Sequence, residues 1–126
     1  MCGIAGYIGK KEALPIVFGN LRKLEYRGYD SAGVAYFEKF PISNFQFPVK
    51  VIKTVGKLDN LNEALRGKKS LPLTAAIGHT RWATHGVPNE VNAHPHFDCH
   101  KEIFLVHNGI IENYQDLKND LIKIGH

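Results

Sequence analysis

Cys2-Gly3-Ile4-Ala5-Gly6-Tyr7-Ile8, at the start of the chain, sets a thiol immediately ahead of a short apolar run. Gly9 and the Lys10-Lys11 pair close that run, and its branched and aromatic side chains read as a β-strand over residues 3–8. Comparable runs recur at 31–38, 49–55, 73–78 and 102–107, each bounded by Gly, Pro, Asn or charged residues. Between the first two, Leu14, Val17, Leu21 and Leu24 supply one apolar helical stripe, which predicts a helix over about residues 12–25. Pro15 fits such a helix only in its first turn. Leu58, Leu61 and Leu65 predict a second, short helix. Tyr114, Leu117, Leu121 and Ile124 predict a third, with Gly125 as its C-terminal cap.

The expected architecture is mixed α and β in one domain, since neither a repeat nor a low-complexity linker divides the chain. Two stretches follow no period, 40–47 and 80–100. The second is dense in His, Pro, Asn and Gly and is too long for an idle connection, which marks it as a functional loop. The last residues read as a capped helix to which further structure can attach, so a piece of a larger domain is expected.

Composition narrows the function. With 44% hydrophobic and 22% charged residues the chain is neither disordered nor fibrous. No run approaches the roughly 18 apolar residues of a membrane span, and no basic region precedes an apolar one at the start, so a cytoplasmic protein is expected. The formal charge of +4 raises a nucleic-acid reading, but Lys and Arg are scattered and no basic run exceeds Lys68-Lys69. Cys2 and Cys99 are the only cysteines, too few for a disulfide framework, so each is judged alone.

Cys2 follows the initiator Met1, and a small residue there permits removal of the methionine, which would leave a free α-amino group beside the thiol. A thiol attacks only as thiolate, with a reference pKa of about 8.5, and an α-amino group near roughly 7.8 is a base poised to take its proton. If Met1 were retained, an amide would replace that amine and the chemistry would fail. By itself a cysteine at position two reads more readily as a small apolar residue entering a strand.

Further segments accompany it: 24–33 with Arg27-Gly28, 78–86 with Arg81-Trp82-Ala83-Thr84-His85-Gly86, 92–96 with His94-Pro95-His96, and 106–113 with Asn108-Gly109. Together with Cys2 these resemble, in order and over nearly the whole chain, the glutaminase domain of the isomerising glutamine:fructose-6-phosphate aminotransferases. The 81–85 and 92–96 segments look like that family and unlike the amidophosphoribosyltransferase branch. The resemblance implies the α+β N-terminal nucleophile hydrolase fold, a four-layer αββα sandwich that is incomplete in this chain. It implies a class II glutamine amidotransferase site, with L-glutamine as substrate and no cofactor or metal. Fructose 6-phosphate would be met only by isomerase domains absent from these residues, in a homodimeric full-length enzyme. An aspartate that the family uses for the substrate's ammonium lies in a segment not present here, so these residues alone are expected to bind glutamine poorly and to leave apolar surface uncovered.

Residue roles follow from the resemblance, each beside an ordinary alternative. Cys2 is the expected nucleophile. Asn108 and Gly109 are expected as oxyanion donors, where an Asn-Gly pair otherwise reads as a hairpin turn. Arg81 is expected to clamp the α-carboxylate of glutamine with its planar fork, where a lone arginine otherwise makes a surface ion pair. Trp82, Thr84 and His85 match the mobile glutamine loop, with Trp82 as an apolar lid rather than a core tryptophan. His94 matches a histidine lining the glutamine site, and Arg27 and Gly28 match a pair near the cysteine. His96, His107 and Cys99 have no assigned role. The set His94, His96, Cys99 and His100 contains metal-ligand types, but its spacing matches no regular zinc motif. The rival reading is a non-catalytic regulatory or assembly module of the same fold.

Overall fold

Unbroken burial along one strand explains how the layers are arranged. In the computed structural model, which describes residues 2–38, 48–72 and 74–126, β2 spans Ser31–Phe37 and is buried from Ser31 to Tyr36. A strand covered on both faces is a central one. It pairs antiparallel with β3, Val49–Val55, on one side and with β4, Ala75–Arg81, on the other. β4 in turn pairs with β1, Gly3–Ile8, giving the sheet order β1-β4-β2-β3.

The register divides the side chains between faces. Ala5, Gly78, Val34 and Ile52 form one row across the sheet, and Ile4, His79, Gly33 and Lys53 form the next, on the opposite face. The first face packs against α1, Ala13–Leu24, through Ala13, Leu14, Val17 and Leu21, and against α2, Leu58–Ala64, through Leu58 and Leu61. Both helix starts borrow acceptors from elsewhere in the chain: Leu14 N–H donates to Ser70 Oγ at 2.8 Å, and Leu58 N–H donates to Glu25 Oε1 at 3.1 Å. The predicted stripe thus holds, with Leu24 half-buried at its end and Pro15 in the first turn.

The other face carries the chemistry. A short 3-10 turn, Glu25–Arg27, leads into β2. Beyond β4 the chain runs irregularly to β5, His96–Phe97, which pairs with β6, Phe104–Leu105, in a second, two-stranded sheet. Lys53 projects from β3 over the Phe97 ring at 5.6 Å, which puts that small sheet over the face opposite α1. Asp98 shapes the connection, accepting N–H donors from Glu102 and Ile103 at 2.8 Å each and from His100 at 3.2 Å. These backbone donors, Ile103 first, hold the exposed Asp98 carboxyl below its ordinary pKa.

Three expectations are corrected. The strand expected at 73–78 is Ala75–Arg81, because His79, Thr80 and Arg81 still pair with β1 and β2 although their polarity ends the apolar run. The stretch expected to be irregular over 80–100 therefore contains the end of β4 and all of β5. The strand expected at 102–107 contracts to its two central residues, since the Asp98 turn holds the positions before it. The irregular stretch at 40–47 lies outside the described residues. α3, Tyr114–Lys123, forms as expected and Gly125 takes a positive φ of 95°, yet no residue of the helix is buried. Its apolar stripe, Tyr114, Leu117 and Leu121, is exposed. Among the described residues no helix is long and apolar enough to cross a membrane.

Candidate functional site

Cys2 lies one residue beyond the Gly3–Thr80 pair, which brings it to the level of Arg81 at the edge of the sheet. Its half-buried sulfur meets the peptide of Trp82, whose N–H donates to Sγ at 3.4 Å. From the sulfur a cleft of about 710 Å³ opens, lined by Arg81, Trp82, Thr84, His85, His94, Asn108 and Gly109 among others. Eight of the ten expected site residues therefore share one cavity; Arg27 and Gly28 stand outside its lining.

Gly28 acts from beneath. A Cβ built there would come within 2.7 Å of the Arg81 carbonyl carbon and 2.9 Å of Trp82 N, so the missing side chain lets the turn before β2 press against the peptide that touches Cys2. Asp30, which sequence reasoning missed, fixes the same corner: its N–H donates to Arg81 O at 3.0 Å and its carboxylate accepts from Ala83 N–H at 2.7 Å. An acidic residue two positions after the Arg27-Gly28 pair was the available signal. The edge of Trp82 meets Tyr29, with ring centroids 5.3 Å apart, and Trp82 itself is 42% exposed.

Arg81 is 8% exposed and has no carboxylate partner among the described residues. Its guanidinium donates to the carbonyls of His85, of Gly86 at 3.2 Å and of Val87 at 3.4 Å, which curls the loop after β4 around it. A buried, charged fork bound only to neutral carbonyls keeps its full positive charge for an anion entering the cleft.

Four histidines gather at the inner wall. The His94 ring lies between His79 and His96, with centroids 4.3 Å from each. His107 N–H donates to His94 Nδ1 at 3.4 Å. Burial, reinforced by the Arg81 charge, pushes His79 down to about 4. Burial and then the neighbouring His79 push His94 down to about 3, and burial followed by Lys53 lowers His96. His79, His94 and His96 are therefore uncharged at neutral pH.

The stacked rings do not converge on a point, and Cys99 and His100 sit on the exposed turn, with Cys99 Sγ 3.2 Å from His126 Nδ1. Among the described residues no group of three or more His, Cys, Asp or Glu is placed to hold a metal ion.

Chemically the cleft offers a half-buried thiol, a buried cation and an amide-rich segment at Asn108-Gly109. That combination suits acyl transfer from a small amide bearing a carboxylate.

Comparison with known proteins points the same way. No protein-family model matches the chain. Over 126 residues, all of this chain and 20% of the relative, it is 51% identical to a glutamine–fructose-6-phosphate aminotransferase (isomerizing) of Pyrococcus horikoshii. Over 125 residues, 99% of this chain and 20% of the relative, it is 55% identical to the protein of the same description from Aquifex aeolicus. The chain thus spans about a fifth of the length of the curated relatives it matches. Among solved structures, a glutamine phosphoribosylpyrophosphate amidotransferase from B. subtilis, complexed with ADP and GMP, aligns with a TM-score of 0.75 at 26% identity, covering all of this chain and 26% of that one. A structure described as the allosteric regulatory enzyme of purine biosynthesis aligns at 0.76 and 27%, with the same coverage. The fold is that of the N-terminal nucleophile amidotransferases, and the near-half identity lies with the sugar-phosphate aminotransferases, as the 81–85 and 92–96 segments led one to expect. Over its whole length the chain is thus similar, at half identity or more, to about a fifth of the length of these isomerising glutamine–fructose-6-phosphate aminotransferases.

Proposed function

We propose that this chain is the N-terminal part of a glutaminase domain, in which Cys2 hydrolyses glutamine to glutamate and ammonia through a γ-glutamyl thioester. The observation that carries this reading is the seat of Cys2 Sγ against Trp82 N–H, at the head of a cleft that also holds Arg81, Asn108 and Gly109.

The steps follow from the groups present. Removal of Met1 frees the α-amine of Cys2, which takes the thiol proton as sulfur attacks the side-chain amide carbon of glutamine. The carbonyl oxygen gains the negative charge, and the Asn108 side-chain amide with the Gly109 N–H receives it. As the C–N bond breaks, the α-amine passes its proton to the departing nitrogen and ammonia leaves. Water then attacks the thioester carbonyl and returns the thiol, releasing glutamate. Arg81 holds the α-carboxylate, and Trp82, Thr84 and His85 close over the substrate and limit premature entry of water.

In the complete protein the ammonia aminates fructose 6-phosphate in isomerase domains outside these residues, in a cytoplasmic homodimer. Intact-mass measurement and treatment with a diazoketone analogue of glutamine test the reading. A mass lacking methionine and stoichiometric modification at Cys2 are expected. A methionine-free protein that is left unlabelled at Cys2 would instead be a non-catalytic module.

A further inference from the structure

His94 lies on the cleft wall, but its closest polar contact is to the chain rather than to the open space. Its backbone is seated on β2: a Cβ built on Gly33 would fall 2.2 Å from His94 O and 2.9 Å from Ile52 O, so only glycine lets the segment lie so close to the strand. Ala93 before it is fully buried, as is Pro95 after it. From that fixed base the ring stacks on His79 of β4 and presents Nδ1 to the N–H of His107, the residue directly before Asn108 and Gly109. The segment that bears the oxyanion donors is itself exposed from His107 to Gly109 and has little burial of its own to hold it.

Resting on the functional reading above, we infer that His94 is a positioning residue: seated on Gly33 and accepting the His107 N–H, it fixes the distance between the Asn108-Gly109 donors and the Cys2–Arg81 end of β4. Its role is to set where the oxyanion is received, and the substrate's own atoms are bound by other groups. The acceptor role requires a ring with a free lone pair at Nδ1, which the uncharged state of His94 allows.

The test is steady-state glutamine hydrolysis by the complete, methionine-processed protein, with two substitutions at one position. His94→Phe keeps a ring for stacking and removes the acceptor. His94→Asn places an amide oxygen near the position of Nδ1. The expected result is a kcat lowered about 10- to 100-fold in His94→Phe with KM for glutamine within about twofold, because misplaced donors weaken only the transition state. His94→Asn is expected to recover kcat to within about fivefold of wild type.

The unchanged KM reports that the site is folded, and Gly33→Ala, acting from the far side of the segment, is expected to lower kcat in the same way. An undiminished kcat in His94→Phe, a loss confined to KM, or an Asn variant no better than the Phe variant overturns the positioning role while leaving the glutaminase reading intact. Absence of Cys2-dependent ammonia release from the wild-type protein sinks both.

Discussion

Gly28→Ala is the substitution that most directly probes how the corner beneath Cys2 is built. Gly28 has a φ of −177°, extended backbone that any residue adopts, so the requirement is one of space rather than of conformation. The added Cβ would stand 2.7 Å from the Arg81 carbonyl carbon, 2.9 Å from its oxygen and 2.9 Å from Trp82 N. All three are backbone atoms, so no flexible side chain can yield. Ordinary contact begins near 3.4 Å, and the peptide joining Arg81 to Trp82 has to retreat by about 0.7 Å.

That peptide donates to Cys2 Sγ at 3.4 Å, and its neighbours Asp30 and Ala83 are bonded to the same corner. Overpacking of this kind costs about 1–3 kcal/mol of stability. A displacement approaching 1 Å at reacting groups costs on the order of 10- to 100-fold in rate. The expected outcome is a lower melting temperature and a glutamine-hydrolysing kcat/KM reduced by that factor, measured by glutamate release from the complete protein. Gly19→Ala is the matched control, since a Cβ there meets nothing within 4 Å in the middle of α1, and it should stabilise the helix by up to about 1 kcal/mol without loss of rate. If Gly28→Ala melts and turns over like wild type, the close approach has no mechanical consequence and the reasoning fails.

Two further outcomes are expected from stability measurements. His79 has a folded-state pKa of about 4, below its unfolded value of about 6.5, so the unfolded chain takes up the proton first; the stability is fully present above the unfolded value and is lost as pH falls from about 6.5 towards 4. That histidine alone should remove about 2 kcal/mol by about pH 4.5, and denaturant titrations across this range should show a shallower slope in His79→Phe; equal slopes would mean that the ring charges freely in the fold. Ser70→Ala should cost about 1–2 kcal/mol by leaving the buried Leu14 N–H without its acceptor, and an unchanged unfolding midpoint would show that another group caps α1.

The fold was most legible where one side of an element faces the core. Residues 3–8 and 49–55 are strands with the bounds that their apolar runs predict, and α1 buries the stripe read from Leu14, Val17 and Leu21. Legibility failed where a strand serves the cleft. β4 continues through His79 and Arg81, which point away from α1 into the site, and polarity there signals function rather than the end of pairing. β5 and β6 are too short to show a period, and their pairing depends on the Asp98 turn, a contact of one carboxylate with backbone groups that no hydrophobic pattern encodes.

The cleft residues were recognisable because thiol, guanidinium and Asn-Gly are chemistry-bearing types in a resembling order. Their supports were not. Asp30 acts through a side-chain contact with Ala83 and was not visible in the sequence; His94 was expected as a lining residue, but its contact with the His107 backbone emerges only when distant segments are brought together.

On the reading proposed above, the sheet order suits a nucleophile placed just ahead of β1. Among the described residues that strand is an edge, so the residue preceding Gly3 has one paired neighbour and one open side. The paired side supplies the fixed partner: β4 carries Arg81 level with Cys2, and the peptide that follows holds the sulfur. In the proposed reaction the open side leaves room for the freed amine of Cys2 to accept and return a proton, which a central strand such as β2, buried from Ser31 to Tyr36, would forbid. Under the proposed reaction a rigid β4 and an accessible Cys2 amine are separate demands, and an edge strand beside the strand that carries Arg81 meets both.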